Sequence, residues 1–313
     1  AGTTPAIGSP VSITPAATTT YTATVTDASG CTTASTIEIT VNPTPIVGVT
    51  SSPLAPVIVC TQTQQVTLSG TGASFYTWSG GVNDGIPFNA TTGTTTYTVT
   101  GTSGAGCSNT ATIDVTGNAN PTVTASSGTP IVCNGSSSVL SGGGASTYNW
   151  AGGPSTATWT VTPSSYTVYT VTGTDENGCS SSKNVTITVN PLPIVTATPS
   201  SQTVCSGMAP LIQLSSNVPG TTYRWTVVQS GVTGATAGTG SVINQVVTAV
   251  SGTAVYTIIP TSNGCDGSPI NVTITVNPVP VAQTTVADNQ SICSGSTTNI
   301  PLISSVSGTS FTW

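Results

Sequence analysis

The 313-residue chain is almost uncharged: two Lys/Arg and eight Asp/Glu give a net charge of −6, and histidine is absent. Without clustered cations it is a poor partner for nucleic-acid phosphates or an anionic membrane surface. Without histidine, no Ser-His-Asp or Cys-His relay can form within it. No apolar run approaches the ~18 residues that a membrane span requires.

In chain order, the first recognisable element is an alternating strand opened by Tyr21, followed by the turn Asp27-Ala28-Ser29-Gly30 and Cys31. A second alternating strand (Ile37, Ile39, Val41) leads into the joint Val41-Asn42-Pro43-Thr44-Pro45. The pattern then recurs. Cys60 precedes Tyr76-Thr77-Trp78; Tyr97 and Val99 alternate with threonines; Gly106-Cys107 ends a turn; Asn118-Ala119-Asn120-Pro121 is a degenerate joint. The next copy holds Cys133, Tyr148-Asn149-Trp150, Tyr169, Gly178-Cys179 and the joint Val189–Pro193. The next holds Cys205, Tyr223-Arg224-Trp225, Tyr256, Gly264-Cys265 and the joint Val276–Pro280. Cys293 and Phe311-Thr312-Trp313 begin another. The first cysteine class recurs after 73, 72 and 88 residues and the second after 76, 72 and 86. Short alternating strands repeated at this period predict tandem all-β sandwiches, each with one buried and one threonine-rich wet face.

This divides the chain into a partial repeat at 1–44, repeats at 45–120, 121–192 and 193–279, and a partial repeat at 280–313. Because it opens part-way through a repeat, a segment of a longer protein is expected. Proline removes a donor and fixes φ, so the joints end strand pairing and stiffen the connection. Trp78, Trp150, Trp225 and Trp313 are expected as core anchors. So are Tyr21, Tyr97, Tyr169 and Tyr256, placed ten, ten, ten and nine residues before their turn cysteines, with a hydroxyl reaching backbone at a corner. Trp159 is out of register. It is either an exposed contact for carbohydrate or an inward strand residue sharing parity with Val161.

Eight recurring cysteines predict disulfides in an oxidising, extracellular setting. Two isolated cysteines per repeat are too few for zinc. Sandwich domains usually close a bridge within themselves, which gives Cys60–Cys107, Cys133–Cys179 and Cys205–Cys265 and leaves Cys31 and Cys293 over. This is the preferred pairing. Against it, a simple sandwich puts the two cysteines near opposite ends, roughly 25–30 Å apart for eight or nine residues of strand. A bridge from one repeat to the next, Cys60–Cys179 and Cys133–Cys265, is the alternative. The scattered acids offer no carboxylate pair for glycoside hydrolysis and too few oxygens for calcium. No enzyme activity, metal or cofactor is expected.

The segments Thr96–Thr100, Asp175–Cys179, Thr186–Pro193 and Val204–Gly207 resemble PKD-like and immunoglobulin-like repeats of very large surface proteins of Bacteroidota. These include gliding-motility adhesins and other cargo of type IX secretion. The resemblance covers essentially the whole chain. It implies an all-β tandem array of such sandwiches, exported across the outer membrane and held at the cell surface by secretion or anchoring machinery. It further implies a part in adhesion or motility. The expected role is a structural rod, with neighbouring repeats of the chain and surface glycans or a solid substratum as partners; a multivalent binding array and a subunit of a laterally packed fibre are the alternatives.

Overall fold

The computed structural model describes residues 10–285 and 289–313, so the first nine residues of the opening repeat lie outside it. Among the described residues the regular structure is β, apart from a 3-10 turn at Ser79–Gly81. Two compact units are present: Ala1–Thr124 with Gly143–Asn149 and Thr172–Ser182, and Ala125–Gly142 with Trp150–Val171 and Lys183–Trp313. The third repeat contributes to both.

In the first unit, Thr19–Thr26 pairs antiparallel with Thr32–Ile39. The second repeat makes two sheets. One has the order Val57–Cys60, Ser108–Asn118, Gly93–Thr102, Phe75–Trp78; the other pairs Gly48–Ser52 with Thr67–Thr71. The opening strand is therefore split between sheets. Gly48–Ser52 runs antiparallel to Thr67–Thr71, and after Pro53 and Pro56 the chain crosses over, so that Val57–Cys60 runs parallel to the last strand. Proline suits such a crossing because it has no N–H to leave unpaired.

The second unit repeats the device. Val195–Thr198 pairs with Ile212–Ser216, and beyond Pro199 the strand Ser201–Cys205 lies parallel to Ile270–Asn277. The third repeat has the corresponding orders: Ile131–Cys133, Ser180–Asn190, Thr167–Thr174, Thr147–Trp150, and Thr158–Val161, Ser138–Gly143, Thr124–Ser127. The chain is thus an array of β-sandwiches, and in the second, third and fourth repeats the opening strand is shared between two sheets.

Alternation dictates which face is buried. Along Ile270–Asn277, Val272, Ile274 and Val276 are wholly buried, and they meet Tyr256, Ile258, Ile212 and Trp225 in one core. A smaller core joins Val57, Val59, Leu68, Tyr97 and Val115. Each such aliphatic side chain contributes about 1.5–3 kcal/mol when fully buried. On the outer face, hydroxyls and amides pair across strands: Thr94 with Thr116 at 2.9 Å, Thr96 donating to Asp114 at 2.6 Å, Thr257 donating to Asn271 at 2.9 Å. These directly opposed pairs hold the hairpins together without ion pairs.

The core anchors divide by context. Trp150 and Trp225 are buried, Trp78 is half-buried, and Tyr97 and Tyr256 are buried, whereas Tyr21 and Tyr169 are half-buried. Trp313 is fully exposed, contrary to expectation. Among the described residues of 280–313, Ala282–Thr284 and Leu302–Ser304 form one two-stranded sheet, with no second sheet packed over it to enclose the ring. The hydroxyls that close a corner belong to Tyr76 and Tyr148 rather than to the later tyrosines. Tyr76 donates to Ala73 O at 2.8 Å and accepts from Ala73 N at 2.7 Å, and Tyr148 does the same at Ala145 with distances of 2.7 and 3.0 Å. Tyr256 instead donates to Gln245 Oε1 at 3.0 Å.

Candidate functional site: the cysteine joints between repeats

The split opening strand decides where the first cysteine class goes. Running parallel to the last strand, it ends where that strand ends: Cys60 lies opposite Asn118, Cys133 opposite Asn190 and Cys205 opposite Asn277. Each asparagine is the last residue of its strand, at the joint. Its carbonyl accepts the N–H of the residue after the cysteine, at 3.0 Å for Thr61, 2.9 Å for Asn134 and 2.8 Å for Ser206. The first cysteine is therefore held against the beginning of the next repeat.

The second class sits at the other end of its own repeat, on a turn that Cys31, Cys107 and Cys179 share and that is one residue shorter at Cys265, where Ser262 lies directly opposite it. Asp175 N–H donates to Cys179 O at 2.9 Å, and Asp175 Oδ1 accepts from the N–H groups of Asn177 and Cys179, both at 2.9 Å. Gly178 supplies the left-handed residue, with φ 80°, that closes the turn. Asp27 builds the same arrangement, accepting from Ser29 and Cys31 at 2.8 and 2.9 Å. Ser103 keeps the backbone part of it, donating to Cys107 O at 2.9 Å.

These two placements bring the classes together across a joint. Cys60 is bonded to Cys179 with Cα atoms 5.5 Å apart, and Cys133 to Cys265 with 5.7 Å. Both separations lie within the range a disulfide tolerates. The preferred intra-repeat pairing of Cys60–Cys107, Cys133–Cys179 and Cys205–Cys265 is thereby corrected. Asn118, opposite Cys60, lies ten residues along its strand from Ser108, the neighbour of Cys107. That is roughly 34 Å, far beyond reach. Cys31, Cys107, Cys205 and Cys293 are free.

Side-chain amides reinforce the joints. Asn120 donates to Ser180 O at 2.7 Å beside the first bridge, and Asn190 donates to Asn263 O at 3.2 Å beside the second. At the joint before the second repeat, Asn109 donates to the carbonyl of buried Pro45 at 3.1 Å. At the fourth repeat, a Cβ on Gly267 would strike the carbonyl of Pro193, so only glycine admits this approach. Sequence places Asn120 and Asn190 in the joints without a role; their position directly before proline was the available signal for docking.

Trp159 is half-buried. Its ring lies 6.1 Å from Trp150 and edge-on to Tyr169 at 5.2 Å, with Gly153 leaving room for it. It sits inward with Val161 rather than standing out as a platform. The Arg224–Asp266 ion pair spans 2.7 Å, with Thr261 donating to the same carboxylate. Hydrogen bonds from Arg224 and then Thr261 hold Asp266 well below the usual carboxylate range. Among the described residues no cluster of three or more His, Cys, Asp or Glu offers a metal site.

A family model described as a PKD-like domain matches residues 202–280. No curated protein matches the chain. Among solved structures, it is similar to titin domains I67–I69 (13% identity, 75% of this chain, 98% of that one, TM-score 0.35). It is also similar to a structure titled for host cell surface retention of a 1.5-MDa bacterial ice-binding adhesin (14% identity, 76% and 99%, TM-score 0.28). The protocadherin GammaB4 extracellular domain is matched at 14% identity over 87% of this chain, with a TM-score of 0.28; the chain spans 56% of that domain's length.

Proposed function

We propose that this chain is a structural, non-enzymatic stalk segment of a large extracellular adhesin, holding a binding region away from the cell and transmitting tension to it. The observation that carries the reading is the pair of disulfides joining successive repeats. Such bonds add a covalent cross-link that bypasses the backbone of a joint and limits how far it extends under load, a property that suits a load-bearing array. Disulfides also fit an oxidising compartment outside the cytosol. The PKD-like match over 202–280 agrees with an adhesin-type repeat. The resemblance to Bacteroidota surface repeats extends the reading to export by type IX secretion and to adhesion or gliding on a substratum. The principal partner of each repeat is its neighbour in the chain.

A swap in the parent protein on living cells tests this. The repeats are replaced by an unrelated sandwich stalk of equal length, surface display is confirmed, and adhesion or surface movement is scored. Retained activity is expected. Loss of activity despite normal display would sink the reading and assign binding to the repeats' own surfaces.

A further inference from the structure

Four cysteines are free, and two of them occupy places that the bonded cysteines define. Cys107 sits on the same turn as Cys179, with Gly106 at φ 85° where Gly178 has φ 80°. Its Sγ lies 3.5 Å from the carbonyl of Asn42, in the preceding joint. Cys179 stands in the corresponding relation to Asn118, with its Sγ 3.9 Å from that carbonyl, and Asn118 is the residue opposite Cys60. Cys107 is therefore poised at the spot where the parallel strand of the preceding repeat would deliver a cysteine. Cys205 is the mirror case. It lies opposite Asn277 as Cys60 lies opposite Asn118 and Cys133 opposite Asn190, it is exposed, and the N–H of Ser206 holds the same carbonyl bond.

We propose that Cys107 and Cys205 are half-sites of further inter-repeat disulfides. Cys107 joins the parallel-strand cysteine of the repeat before it, and Cys205 joins the turn cysteine of the repeat after the fourth. Within a repeat the two classes are 47, 46 or 60 residues apart (Cys60–Cys107, Cys133–Cys179, Cys205–Cys265). Counted back from Cys31 and forward from Cys293, both partners fall outside residues 1–313. Every repeat then contributes one cysteine to the neighbour on each side, making a continuous covalent ladder. In each bond two thiols lose two electrons and two protons as the S–S bond forms. The electrons reduce the disulfide of an oxidising dithiol–disulfide carrier to two thiols, so the exchange balances. The inference rests on joint geometry, not on the stalk reading, and a disulfide map can fail without touching the adhesion result.

The test is non-reducing digestion and mass spectrometry of the parent protein taken from its cells, with free thiols first blocked by an alkylating reagent. The expected result is a Cys107 peptide and a Cys205 peptide, each cross-linked to a cysteine peptide absent from residues 1–313. Either peptide recovered alkylated, or bonded to a cysteine within 1–313 such as Cys60 or Cys265, overturns the proposal. Residues 1–313 alone, expressed and oxidised, should titrate four thiols per chain. A Cys60–Cys107 bond there would also overturn it.

Discussion

Cys60 and Cys179 are separated by 119 residues, yet their Cα atoms lie 5.5 Å apart, and the loop they close contains Cys133, whose own partner Cys265 lies outside it. The two covalent loops overlap. With both bonds intact, the shortest covalent path from Cys60 to Cys265 crosses only the 46 residues between Cys133 and Cys179 (179 − 133). With both cut it runs through 205 residues (265 − 60).

The first prediction concerns extension under load. Losing Cys60–Cys179 alone leaves a path of 73 residues (133 − 60), and losing Cys133–Cys265 alone leaves 86 (265 − 179). At about 3.5 Å per residue, the single losses lengthen the unfolded chain by roughly 95 and 140 Å, and the double loss by roughly 560 Å. Single-molecule pulling of Cys60→Ser, Cys133→Ser and the double variant should show this non-additivity, with the four free cysteines replaced by serine throughout. Additive lengthening would mean that the loops do not overlap.

Asp175 should govern how readily the first bridge forms. Its carboxylate caps two N–H groups, one of them that of Cys179 itself. Asp175→Ala should loosen the turn by about 1–2 kcal/mol. Quenched oxidative refolding should then show slower accumulation of Cys60–Cys179, while Cys133–Cys265 is unchanged. Asp175→Asn keeps an acceptor oxygen and should restore most of the rate.

The tryptophans at the repeated position should rank by burial. Trp150 and Trp225 are at most 5% exposed and donate through Nε1 to Thr156 O and Thr236 O. Replacing either by Ala should cost about 3–5 kcal/mol in its own repeat. Trp78 is half-buried, with its Nε1 donating to exposed Asp84. Its replacement should cost visibly less, read as the smallest shift of the denaturation midpoint among the three.

Acid should weaken the fourth repeat through Asp266. Its carboxyl titrates below the usual range in the folded chain, because Arg224 and Thr261 donate to it. As pH falls past about 4, the unfolded chain takes up that proton first, so stability declines toward acid and is flat above about pH 5. Both partners are about half exposed, so the effect is small. Melting temperatures between pH 7 and 3 should fall less steeply in Asp266→Asn than in the parent.

Much of this was legible in one dimension. Threonine–aliphatic alternation located the last two strands of each repeat, because period two with one buried face leaves its own trace, as at Val272, Ile274 and Val276. The turn at Asp175–Cys179 was legible too, since Asp and Gly are local signals. The parallel strand Val57–Cys60 was not: its four residues show no polar alternation, and its partner is more than fifty residues away. Sequence assigned the corner hydroxyl to Tyr97 and left Tyr76 as part of a strand motif. Only packing decided that Tyr76 closes the corner while the Tyr97 ring lies tilted 5.2 Å from Phe88.

A string of similar β-sandwiches with two cysteine classes and almost no charge can be read from one dimension alone. Those properties are carried by local pattern and composition. Tertiary structure decided which cysteines meet. The crossing at Pro53–Pro56 sends the opening strand parallel to the last one, which puts Cys60 at the end of the repeat where the next begins. A parallel pairing joins segments distant in sequence, and no local spacing encodes it.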